Sequence, residues 1–150
     1  MPPYGLLITL HLLAAIAFVG TVFFEVVMLG GVRHQAPPND VPPDAMRALE
    51  RAIGYRAVRI MPWVLLVLFG AGSGLAWQHR AALAAPLASH FALLLNIKIA
   101  LAFSVLGHFA TAMVWRRSGR LNGQRSRRLH YSIFAHVLLI VVLAKAMFFA

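Results

Sequence analysis

Cysteine is absent from this chain, and only four residues are acidic: Glu25, Asp40, Asp44 and Glu50. Without cysteine there is no disulfide, no thiolate metal site and no cysteine nucleophile. No Ser-His-Asp arrangement accompanies the few carboxylates, so a hydrolytic site of the soluble type has no support. Redox chemistry would require a bound cofactor, because the chain carries no redox-active thiol. Charge of either sign is scarce, with 12% of residues charged against 61% hydrophobic. That balance is not one of a soluble domain.

What the chain has instead is four long apolar runs, Leu6 to Leu29, Val58 to Trp77, Phe91 to Trp115 and Tyr131 to Phe149. Crossing a bilayer core takes about 20 apolar residues in a helix, and each run meets that length. Membrane β-strands are shorter and alternate polar with apolar residues, which these runs do not. The expected fold is all-α: a single integral membrane domain over residues 1–150, built as a four-helix transmembrane bundle. The first run has no basic residues before it, is too long for a signal peptide and lacks a clean small-residue cleavage site, so it is expected to be a retained helix.

The net charge of +10 is distributed unevenly. Arg33, Arg47, Arg51, Arg56 and Arg59 lie between the first two runs, and Arg116, Arg117, Arg120, Arg125, Arg127 and Arg128 between the last two. The middle connection holds only Arg80. Eleven against one predicts that both basic loops are cytoplasmic and that both termini lie on the outer, periplasmic side. The expected location is a bacterial inner membrane crossed several times. The arginines then orient the chain and touch anionic headgroups of the lipid bilayer. A nucleic-acid partner is not indicated, because no aromatic interleaving or recognised module accompanies them.

Within the first basic loop, 30–57, the proline pairs at 37–38 and 42–43 forbid helix. Asp44 is placed to cap a short amphipathic helix over 44–56, with Met46, Leu49 and Ile53 on one face. Pro62 sits early in the second helix, where it is tolerated or causes a modest kink. GAGSG at 70–74 is a small-residue patch that admits close approach of a helix or a flat ligand. Four helices leave much lipid-facing surface, which is compatible with a homo-oligomer.

Ionisable groups inside the runs are the functional candidates, since each is costly in lipid unless paired or wetted. At about 1.5 Å per residue, His108 and His136 lie roughly 10 and 8 Å inside the same, cytoplasmic end of helices 3 and 4. Two imidazoles at matched depth on adjacent antiparallel helices suit bis-axial ligation of a haem iron. His11 and Lys98 lie in the outer leaflet, each about 8 Å in. Glu25 follows His11 by close to four turns, so His11, Phe18 and Glu25 share one stripe expected to face the interior. Lys98 and Glu25 are candidates for tuning charge, binding a propionate or moving protons. Lys145 is near a helix end and is expected to snorkel; His34, His79, His90 and His130 sit at interfaces. The competing reading for each histidine is a packed, hydrogen-bonded residue. Copper is the rival ligand, with His11, His108 and His136 as donors, but no cysteine and no close methionine pair supports it.

Four stretches resemble the CopD-like membrane proteins, a group that includes the HemJ-type protoporphyrinogen oxidases. LHLLAAIAFVGTVFF at 10–24 is similar to their first helix, through His11, Phe18, Gly20, Phe23 and Phe24. RIMPWVLLVLFGAGSGL at 59–75 resembles the opening and closing of their second, and LNIKIALAFSVLGH at 95–108 their third, in which a lysine precedes a histidine. LLIVVLAKAMF, with Lys145, is similar to the fourth. There are departures: the oxidases have tryptophan at Phe18, a proline-arginine pair near Glu25, and an asparagine-glutamate-x-proline opening where this chain reads YSIFAHVLL.

The resemblance implies a haem b on His11, and with it an oxidoreductase that transfers electrons or oxidises a porphyrinogen or quinol-type substrate. The wider group also implies copper binding or copper transport. A third expectation, from a different class, is a structural or assembly membrane protein without cofactor.

Overall fold

The computed structural model describes residues 3–34 and 41–149, with the backbone alone at Arg33 and His34. No strand occurs among the described residues. Their elements are α1 (Pro3–Phe23), a π-helical segment (Phe24–Leu29), α2 (Gly30–His34), α3 (Pro43–Gln78), α4 (Arg80–Ala84), α5 (His90–Arg117) and α6 (Gly123–Ala146). Four helical stretches are long and apolar enough to cross a membrane: Pro3–Val32, Pro43–Gln78, His90–Arg117 and Gly123–Ala146. The chain divides into two compact units, Met1–Gly72 and Ser73–Ala150, and the boundary falls inside the GAGSG patch of α3.

In the first unit, Ala14, Phe18 and Val22 form a buried stripe on α1, because positions four apart share a helix face. His11 and Glu25 flank that stripe and are half-buried. The opposite face, with Leu13 and Ile16, is exposed and suited to lipid. Glu25 lies in the π segment, where one extra residue per turn widens the helix and rotates the face that follows.

The amphipathic stretch 44–56 is not a separate surface helix. It forms the first part of α3, which runs through 36 residues without a break. Nothing between Asp44 and Met61 stops a helix, and Pro62 removes only the bond to the Val58 carbonyl. At 1.5 Å per residue α3 is about 54 Å long, so roughly 20 residues suffice for the bilayer and the arginine-bearing start extends beyond it.

In the second unit, α5 and α6 form an antiparallel hairpin. The Ser89 hydroxyl caps α5 by accepting the Ala92 N–H at 3.1 Å. The far end closes with the Arg120 N–H on the Trp115 carbonyl (2.8 Å) and the Gly119 N–H on the Arg116 carbonyl (3.3 Å). Gly119 has φ of +66°, the left-handed value this closure requires. Asn122 then caps α6, its Oδ1 accepting the Arg125 N–H at 2.8 Å. α6 therefore begins about two turns before Tyr131, and Arg125, Arg127 and Arg128 lie on its first turns, where the sequence reading placed a loop. Between the helices, Ala92, Leu95 and Val105 of α5 are buried, as are Ile133 and Val137 of α6. Near the start of α5, Asn96 donates from Nδ2 to the Ala82 carbonyl (3.1 Å) and to the Ala92 carbonyl (2.9 Å), which ties α4 to α5.

Candidate functional site

The two units each carry a histidine setting. In the first, His11 sits on α1 with its Nδ1 3.0 Å from the Leu68 carbonyl of α3. A carbonyl can only accept, so Nδ1 carries the proton and Nε2 carries the lone pair. This is the tautomer of a metal-ligating histidine whose far nitrogen is steadied by a backbone carbonyl. Gly72 makes the approach feasible: a Cβ there would stand 3.1 Å from His11 Cε1 and 3.2 Å from Nδ1. The small-residue patch thus admits an imidazole edge as its close neighbour.

The second setting is a closed ring on the α5–α6 hairpin. The His108 Nδ1–H donates to the Ser104 carbonyl at 2.7 Å, one turn back on α5. His136 does the same with the Ser132 carbonyl at 2.7 Å on α6. Both Nε2 atoms therefore accept, and each takes a hydroxyl from the facing helix. Ser132 Oγ is 2.9 Å from His108 Nε2, and Ser104 Oγ is 3.2 Å from His136 Nε2. Antiparallel packing explains the reciprocity. Moving four residues forward on α5, from Ser104 to His108, moves four back on α6, from His136 to Ser132. The same Ser-x-x-x-His unit on both helices consequently pairs with itself. All four imidazole nitrogens are partnered from within the hairpin, which lets an apolar pair of helices carry the two rings at low cost.

The matched depths of His108 and His136 do bring the rings together, with centroids 5.2 Å apart and planes inclined at 53°. Bis-axial ligation would need both Nε2 atoms to face one iron with the macrocycle between them. In this arrangement each Nε2 faces a serine of the opposite helix and the rings are immediate neighbours. The pair does not fit a haem without parting the hairpin. Among the described residues, no group of three or more histidine, aspartate or glutamate side chains gathers as a metal site.

The other candidates are placed separately. Lys98 is half-buried on α5 and makes no hydrogen bond or ion pair among the described residues. Lys145 lies with Nζ 4.5 Å from the centroid of the Phe149 ring, at the end of its helix as a snorkelling lysine would. His79 meets Phe91 edge-on at 5.3 Å, and Phe91 meets Phe148 at 6.0 Å. His130 bonds the Ser126 carbonyl at 2.8 Å, and the side chain of His34 lies outside the described residues. Sequence reasoning missed Ser104 and Ser132. The signal available was the recurrence of Ser-x-x-x-His at 104–108, 126–130 and 132–136, which puts hydroxyl and imidazole on one helix face. Comparison with known protein families, curated proteins and solved structures finds no match for this chain.

Proposed function

We propose that the chain is a b-haem-binding redox protein of the bacterial inner membrane, with both termini outside and His11 as the axial ligand. The observation that carries this reading is the seating of His11: Nδ1 held by the Leu68 carbonyl, the ring edge against Gly72, and the lone pair on Nε2. The similarity of residues 10–24 to the first helix of CopD-like proteins points the same way. Haem would supply one-electron chemistry toward a quinol or a porphyrin-type substrate. Among the protein groups, Leu68 fixes the tautomer of His11 and Gly72 clears its edge. Glu25, on the half-buried side of the π segment, is assigned proton transfer.

The test is a reduced-minus-oxidised spectrum of detergent-purified protein with a pyridine hemochrome assay. A b-type signal that is lost in His11→Ala and kept in His136→Ala supports the reading. Colourless protein from haem-replete cells rejects it, and metal analysis then decides whether copper takes its place. For His108 and His136 a structural role is the better reading, because the ring satisfies every imidazole nitrogen from within the hairpin.

A further inference from the structure

All four acidic residues fall within the first 50 positions, so residues 51–150 contain none. The second unit nevertheless carries Arg80, Lys98, Arg116, Arg117, Arg120, Arg125, Arg127, Arg128 and Lys145. Six of these nine cations fall between 116 and 128, around the turn that joins α5 to α6. The basic start of α3 is different, since Asp44 and Glu50 stand among its arginines.

The turn is firmly built. Gly119 and Asn122 close the two helix ends within five residues, which brings Arg116 and Arg117 near Arg125, Arg127 and Arg128. Arg125 is held in place: one Nη donates to the Arg120 carbonyl at 2.8 Å, and its Cζ is 5.4 Å from the centroid of the Trp115 ring. Four of its five N–H donors have no acceptor among the described residues. The side chains of Arg117, Arg120, Arg127 and Arg128 make no ion pair or hydrogen bond there either. Arg116 and Arg117 suit the negative end of α5, but Arg125, Arg127 and Arg128 stand at the positive end of α6, where the helix dipole opposes them. An anion would relieve both that opposition and the repulsion among the arginines.

We propose that the α5–α6 turn is a binding site for the headgroup of an anionic phospholipid. Three observations select a lipid phosphate. Both helices that carry the arginines are long and apolar enough to span a membrane. Trp115, a residue type that settles at headgroup level, stacks on the ordered arginine. The exposed face of α5 continues from Arg117 through Val114 (62% exposed), Ala110 and Gly107 to Phe103, an apolar track along which an acyl chain can lie. This inference rests on the spanning helices and not on the haem reading, so the two fail separately.

The test compares dioleoyl-phosphatidylglycerol with dioleoyl-phosphatidylcholine by native mass spectrometry of the full-length protein in detergent micelles. Wild type is expected to prefer the glycerol lipid. Arg117→Gln/Arg120→Gln/Arg125→Gln together are expected to lower that preference about a hundredfold, from roughly fivefold per arginine near a lipid surface. Arg47→Gln/Arg51→Gln/Arg56→Gln are expected to leave it unchanged. If the first triple does not fold, Arg125→Gln alone, with its roughly fivefold loss, decides. An unchanged preference, equal losses in the two triples, or full displacement of the lipid by inorganic phosphate or a short RNA overturns the proposal.

Discussion

His108 and His136 face each other across the α5–α6 hairpin at 5.2 Å, and each is bonded to the serine four residues before the other. The relationship makes the four side chains an energetic unit. Ser132→Ala leaves His108 Nε2 without its donor inside the hairpin, and Ser104→Ala does the same to His136. Each is expected to cost about 1–3 kcal/mol. The double variant His108→Ala/Ser132→Ala should cost less than the two singles combined, by roughly 0.6–1.7 kcal/mol as for other interhelical pairs in membranes. Unfolding by SDS titration in mixed micelles reads all four; strictly additive costs would show that the ring holds nothing together.

Gly72→Ala probes the other setting. The added methyl would stand 3.1–3.2 Å from the His11 ring, tighter than most Cβ contacts, so the imidazole must give by a few tenths of an ångström and its bond to the Leu68 carbonyl is expected to weaken. The expected result is reduced haem content in purified protein, with the α5–α6 hairpin unaffected in stability. Gly70→Ala is the control, because a Cβ at 70 meets nothing within 4 Å. Equal haem content in the two variants would remove Gly72 from the site.

Gly119 tests how the hairpin is closed. With φ of +66°, an alanine there incurs the left-handed penalty of about 1–2 kcal/mol, and asparagine, which tolerates that region better, should recover part of it. A thermal melt of Gly119→Ala and Gly119→Asn in detergent gives the order. Alanine matching wild type would mean that the turn adopts another conformation at no cost.

The spans were legible because a run of apolar residues reports on lipid irrespective of what packs beside it. The meeting of His108 with His136 was legible too, since a short connection and equal depth leave antiparallel helices little alternative. Two features were not. The first turns of α6 were hidden because arginines read as loop, although Gly119 and Asn122 mark the closure and the cap on either side of it. The role of Ser104 and Ser132 is not legible because a serine in an apolar helix has no signature of its own. Its role as donor depends on a register across two helices, which is a tertiary property. The same register removes the bis-axial geometry that depth alone allowed, because it aims each Nε2 at a hydroxyl.

Orientation in the membrane can be read directly, because the chain has no native thiol to interfere. Leu87, 86% exposed, lies between α4 and α5, and Gln124 is exposed in the first turn of α6. The eleven-to-one division of arginines between the connections predicts that these positions lie on opposite sides, with residue 87 outside. In spheroplasts, a membrane-impermeant maleimide is expected to label Leu87→Cys and to spare Gln124→Cys; in inverted vesicles the pattern should reverse. The opposite pattern would invert the topology while keeping the spans. Labelling of both positions from one side would mean that α5 does not cross the bilayer, and the four-span reading would fall with it.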